Sequence, residues 1–325
     1  MSHLRIARDD QIDSIYRESH ALWGSGLDFD NYRGLWRDLA RTEWGGEHAR
    51  FCVWVDDRGS LLSSLKLYRP QLRWQGRTGR IAVLGAVFTP AARRGCGHAS
   101  EMVRAVVRQA RERGDRVVLL FSDIGTNYYA ALGFRRLPAE EEWGPLPRSP
   151  DPPASWSLRP FDDEMWQQVH GAHLDYCLRR PFAIIRDDGH WQFLQVRSAS
   201  FFERLQDRRL RSLRQVASHE GRFAGYLLTT ESRGEWHVRE VGAVGGDPAT
   251  MAAILRLGAA QAWDSGLRGF YGWLPPELQP FLRDWKIHSR GRRKAVPMIL
   301  PLEEPADLSG LAARGAAYLP FQDQF

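Results

Sequence analysis

Residues 80–89, RIAVLGAVFT, are mostly apolar with no polar alternation. A strand of this kind is buried on both faces, so it demands a sheet covered by helices on both sides. The next thirty residues narrow the choice. The turn TPAARRGCGHA (89–99) is rich in small residues and arginine. From His98 to Arg113, Met102, Val103, Val106, Val107 and Ala110 then fall on one helical stripe. Gly114-Asp115 ends that helix, and VVLLFS (117–122) reads as the next strand. Strand, small-residue turn, helix and strand form the central unit.

Around it, HLRIA (3–7) reads as a strand, and a helix is expected from about Asp10, as N-cap, to His20. Tyr32, Leu35, Trp36 and Leu39 predict a second helix over 29–41. FCVWV (51–55) and LLSSLKLY (61–68) form a hairpin over DDRG. A short helical stretch and GFRRL (133–137) come after the 117–122 strand. This order predicts an α/β (α+β) mixed sheet with helices on both faces.

Residues 143–156 hold five prolines and read as a linker. Beyond it the plan recurs: a strand at 157–161, a helix from Asp163 to Tyr176, a hairpin of 222–230 with 235–244, a helix from Pro248 to Ser265, and a strand at 269–274. EVGAV (240–244) stands where VLGAV (83–87) stands in the first half, a weak internal repeat. The expected division is a first domain over 1–142, a linker over 143–156, a second copy over 157–302 and a tail over 303–325.

Composition removes several alternatives. The chain has 325 residues, 43% hydrophobic and 26% charged, enough for two ordinary cores. No apolar run is long enough for a bilayer and the N-terminus lacks a signal-peptide core, so a cytoplasmic protein with no membrane partner is expected. Three scattered cysteines, Cys52, Cys96 and Cys177, argue against a disulfide framework or zinc site. His170-x-x-His173 lacks a third ligand, so no metal is expected. The net charge is +6, carried almost wholly by arginine, since the only lysines are Lys66, Lys286 and Lys294. Such a surface suits a phosphate-bearing cofactor as well as nucleic acid; nucleic acid is the less favoured partner. SRGRRK (289–294) reads as a solvated basic turn.

The start of a helix presents unpaired N–H groups and a partial positive charge, and small residues let a diphosphate approach them. Arg94-Gly95-Cys96-Gly97-His98-Ala99 resembles the Gln/Arg-x-x-Gly-x-Gly/Ala loop with which GNAT acetyltransferases bind acetyl-CoA. The resemblance implies that this loop holds the pyrophosphate and that the backbone of Val87, Phe88 and Thr89 runs along the pantetheine. Cys96 and His98 occupy variable positions and are given no side-chain chemistry. The plain alternative is a glycine-rich strand-to-helix turn with no ligand.

A second segment, FSDIGTNYYAALGF (121–134), places Tyr129 four residues before Gly133-Phe134, where GNAT enzymes often carry a tyrosine. A phenol of pKa ~10 can protonate a departing thiolate of pKa ~8.5. Asn127 is expected beside the cofactor. Asp123 could orient an amine or cap the following turn. Ser-Asp-Ile-Gly-x-x-Tyr-Tyr (122–129) looks like the matching segment of fungal lysine N-acetyltransferases. The two-copy layout is similar to the enhanced-intracellular-survival acetyltransferases, which modify amines of aminoglycosides and protein lysines, although no room is left here for their third domain. In those proteins the terminal carboxylate acts as a base, a role that would fall to Phe325; a tail packed by Phe321 and Phe325 is the favoured alternative. In the second half Gly245-Gly246-Asp247-Pro248 replaces the phosphate loop, and its carboxylate would repel a pyrophosphate. The resemblance implies direct acetyl transfer from acetyl-CoA to a primary amine. A non-catalytic acyl-CoA sensor or scaffold and an arginine-rich nucleic-acid-associated protein are the rivals, and homo-oligomer formation is left open.

Overall fold

The computed structural model describes residues 2–148, 155–207, 210–303, 308–320 and 323. The first half runs β1 (His3–Ile6), α1 (Asp9–Trp23), α2 (Phe29–Arg41), α3 (Glu43–His48), β2 (Ala49–Val55), β3 (Leu61–Tyr68), β4 (Gln71–Trp74), β5 (Arg77–Arg80), β6 (Ala82–Phe88), α4 (His98–Glu112), β7 (Val117–Ser122), α5 (Asn127–Ala130), β8 (Arg135–Arg136) and β9 (Glu140–Pro145). The second half runs β10 (Trp156–Pro160), α6 (Trp166–Leu178), β11 (Phe182–Ile185), α7 (Asp188–Arg204), β12 (Arg211–His219), β13 (Arg222–Ser232), β14 (Glu235–Ala243), α8 (Pro248–Asp264), β15 (Gly269–Gly272), β16 (His288–Gly291), β17 (Val296–Pro301) and β18 (Ala317–Tyr318).

Two seven-stranded sheets share one plan. The first has the order β1-β2-β3-β6-β7-β17-β8, the second β10-β12-β13-β14-β15-β9-β16. In each, a single parallel pair sits among antiparallel neighbours: β6 with β7, and β14 with β15. The sixth strand of each sheet comes from the other half of the chain. β17 pairs with β7 from Val296↔Ser122 to Pro301↔Val117, and β9 pairs with β15 and β16. The proline-rich stretch therefore begins inside a strand: Trp143, Gly144 and Pro145 belong to β9, within the second sheet. Likewise β17, within the span expected to form the second copy, lies in the first sheet.

Other departures are local. α1 begins at Asp9 with Arg8 as N-cap; the Arg8 N–H donates to Gln11 Oε1 at 3.2 Å, while Asp10 pairs with the Arg8 side chain in the first turn. The run 71–80 is a separate hairpin, β4–β5, which joins β11 and β18 in a four-stranded sheet that ties the halves together. The basic stretch 289–294 is not a solvated turn throughout. Arg290 pairs with Glu141, and Arg292 is buried 3.4 Å above the Trp273 ring with hydrogen bonds to the Glu140 and Leu319 carbonyls.

Packing follows the strand period of two. On β3, Leu65 and Leu67 face α4 and pack with Met102 and Val103. Val83 of β6 and Tyr68 of β3 belong to a larger core with Tyr16, Tyr32 and Leu39 of α1 and α2. That core continues without a break into Trp191 and Phe193 of α7, so the halves share one apolar centre. Trp44 of α3 stacks on His190 of α7 at 4.3 Å between centroids. The second half buries a polar cluster: Arg186 makes two hydrogen bonds to Glu240, at 3.0 and 2.8 Å, and another to Asp323 at 2.8 Å, all three fully enclosed. Among the described residues no helix is long and apolar enough to cross a membrane.

Candidate active site

The parallel pair β6–β7 is joined only from Ala82↔Val118 to Leu84↔Leu120. β6 continues to Phe88 and β7 to Ser122, so the two strands run on unpaired with each other beyond that point. The cause is a bulge. Between β3 and β6 the register slips from Lys66↔Gly85 to Ser64↔Phe88, one extra residue on β6, and Ala86 takes a positive φ of 45°. Ser63 fixes the far end: its hydroxyl donates to the Phe88 carbonyl at 2.7 Å and lies 3.0 Å from Thr89 Oγ1. The opening between the strand ends is a slot with main-chain groups along its β6 edge. The Phe88 carbonyl is taken by Ser63 and the Thr89 carbonyl by Arg94 Nε at 3.1 Å.

Beyond the slot stands the N-terminus of α4, a 15-residue helix that no side chain caps. Gly95 and Gly97 have φ of 78° and 79°, and open space lies where a Cβ would project from either. Only glycine adopts this conformation at no cost. Arg94 and Cys96 are exposed, and His98 and Ala99 half-buried. The turn thus offers the first main-chain N–H groups of α4 to solvent beside an arginine, an anion site in physical terms.

The matching place in the second half is closed. Asp247 caps α8, accepting from the Thr250 N–H at 2.8 Å, and the Gly245 N–H is taken by Asp175 at 2.8 Å. A carboxylate already occupies the position a phosphate would need.

Tyr129, on α5, is 7% exposed; its ring meets Tyr128 and Phe134 edge-on. Burial raises its phenol well above the usual tyrosine value, and Tyr128 and Asp123 add to the shift. It stays protonated at any working pH, but it is a weaker acid than the free phenol considered from sequence alone. Asp123 is exposed and one of its oxygens accepts from the Ala295 N–H at 2.9 Å, so it caps the turn that leads into β17. Asn127 is exposed at the start of α5. Phe325 and Phe321 lie outside the described residues. Sequence reasoning missed Tyr128, whose hydroxyl lies 3.1 Å from Ser100 Oγ in the first turn of α4 and links α5 to the anion site. It also missed Trp23, whose ring meets Phe88 edge-on across the end of β6. No local pattern marks either residue, because each contact joins separate elements.

His170 and His173 do not act together: His170 bonds Asp188 and His173 bonds Glu240.

Residues 3–137 match the family model described as an acetyltransferase (GNAT) domain. The first half of the chain carries a GNAT acetyltransferase domain. The family match ends at the first half; over the whole chain the likeness is one of fold. A GCN5-related N-acetyltransferase from Anabaena variabilis superposes with a TM-score of 0.73 at 14% identity, over 93% of this chain and 73% of that one. Eis1 from Mycobacterium abscessus gives 0.59 at 12% identity, over 93% and 74%. A tandem GNAT protein of the clavulanic acid biosynthesis pathway gives 0.52 at 14% identity, over 94% and 100%. These neighbours extend over both sheets, in keeping with two GNAT-like sheet regions in this chain. Comparison with curated protein sequences gave no match.

Proposed function

We propose that this GNAT acyltransferase moves an acetyl group from acetyl-CoA to a primary amine in the first half of the chain, while the second half has no working cofactor site. The observation that carries the proposal is the contrast between two equivalent helix starts: α4 is uncapped and faces open space through Gly95 and Gly97, whereas α8 is capped by Asp247.

The residues present fit that cofactor. The main chain of Gly95, Cys96, Gly97, His98 and Ala99 holds the pyrophosphate, with Arg94 as a flanking cation. The slot beside Val87, Phe88 and Thr89 takes the pantetheine; because two carbonyls there are engaged, the Val87 main chain is its principal partner. Tyr128, whose hydroxyl lies 3.1 Å from Ser100 Oγ, and Asn127 at the start of α5 are the side chains assigned to flank it. Acetyl-CoA supplies an activated acyl group as its thioester. The amine lone pair forms the new C–N bond as the C–S bond breaks, and Tyr129 gives its phenolic proton to the departing thiolate. The amine's own proton leaves to solvent or to a base. Asp123 keeps its place near Tyr129 by bonding to Ala295 and acts through position.

The test is release of free thiol from acetyl-CoA over a panel of amines, including lysine, polyamines, aminoglycosides and peptide lysines. Tyr129→Phe should lower turnover at least a hundredfold, the usual worth of a positioned acid, with acetyl-CoA affinity kept. Loss of affinity with unchanged turnover would reverse the assignment of roles.

A further inference from the structure

A separate cavity of about 250 Å³ lies under α1 and α2, on the face of the first sheet opposite α4. Its lining includes Ile12, Tyr16, Trp36, Leu39 and Phe51, with Phe193 reaching in from α7. No residue of the cofactor turn or of the 121–134 segment takes part. The walls are largely apolar, yet the charged groups among them are two cations, Lys66 and Arg50, and no carboxylate.

Lys66 is the unusual group. It alternates with Leu65 and Leu67 on β3, so its side chain must enter this cavity while theirs face α4. It is 6% exposed, with Nζ 2.9 Å from the centroid of the Trp36 ring and 5.2 Å from that of Phe51. Among the described residues no carboxylate or hydrogen-bond acceptor pairs with its amine. Aromatic faces attract an ammonium, but they replace only part of the hydration lost on burial. Accordingly burial drives the amine well below the usual lysine value. The titratable groups that face it are Tyr16 of α1, Tyr32 of α2, Tyr68 of its own strand and Arg50 of β2, and none carries negative charge at neutral pH.

We propose that this cavity binds a small organic monocarboxylate with an apolar body, its carboxylate paired with Lys66. The walls suit the apolar part, the amine lacks an anion, and a single buried ammonium balances one charge and no more. A phosphate would bring two charges into an apolar chamber, and a neutral ligand would leave the amine unpaired. The inference stands apart from the acetyl-transfer reading, since it uses none of the same residues.

Calorimetry on the full chain at pH 7.5 tests it, with benzoate, 3-phenylpropionate and 3-methylbutanoate each set against its own amide. The expected result is binding of at least one acid more than tenfold tighter than its amide. Lys66→Met should abolish that difference. A second readout needs no variant: reductive methylation with formaldehyde and cyanoborohydride should modify Lys66, and the bound acid should protect it while Lys286 and Lys294 react as before. Equal affinity of acid and amide, no binding by any pair, or a Lys66 that the acid fails to protect would each overturn the proposal.

Discussion

Gly97→Asp is the sharpest test of the cofactor turn. It puts into α4 the type of carboxylate that Asp247 supplies to α8. Nothing stands within 4 Å of the added Cβ, so no steric clash enters. The φ of 79° costs a non-glycine residue about 1–2 kcal/mol, less for Asp or Asn, which tolerate this region. The electrostatic effect follows from Coulomb's law. At about 5 Å and an effective dielectric of about 40, between surface and bulk values, one carboxylate repels one phosphate charge by ~1.7 kcal/mol. Two phosphate charges give ~3 kcal/mol, which is ~150-fold in affinity. Gly97→Asn supplies the control, having the same shape and backbone cost without the charge. Titration calorimetry with acetyl-CoA should therefore show Asn near wild type and Asp weaker by about two orders of magnitude, with salt narrowing the gap. Equal affinities for the Asp and Asn variants, with both folded, would show that no diphosphate sits at this turn.

Arg186→Met should cost ~3–5 kcal/mol in urea unfolding, because it leaves Glu240 and Asp323 buried without their cation; replacing all three with apolar residues should recover most of that loss. Burial pushes the Glu142 carboxyl up to about 7, above its ordinary 4.5. Protonation therefore favours the fold: the contribution is complete below the unfolded value and is lost as pH rises through about 7, to a limit of about 3 kcal/mol. Glu142→Gln keeps an acceptor for the Leu274 N–H, so its thermal stability should fall less than that of wild type between pH 5 and 8. Ser63→Ala should lower stability by ~1 kcal/mol through the lost bond to Phe88 and raise KM for acetyl-CoA, since the hydroxyl fixes the strand end beside the slot.

Much of the fold was legible because helix and strand periods are local. The span of α2 and the strand at 117–122 agree with the structure residue for residue, and α4 departs by one residue at its end. The turn 94–99 was legible for a related reason: two glycines at positive φ before an apolar helical stripe leave a short list of backbone paths. The small elements α3, β4, β5 and β18 were not, since six residues or fewer carry too little period to separate strand from loop.

The chain by itself thus determined the strand–turn–helix–strand unit, its second copy and the place of the glycine turn that opens α4. Tertiary structure alone decided which sheet receives β9 and β17, because a strand's pattern says that it is paired and not with what. It alone set Asp123 on Ala295, Tyr128 on Ser100, and Lys66 against Trp36 in a chamber with no acid. Local sequence fixes the dihedral preferences of a segment; the desolvation and charge balance of a side chain depend on neighbours that only the folded chain brings near.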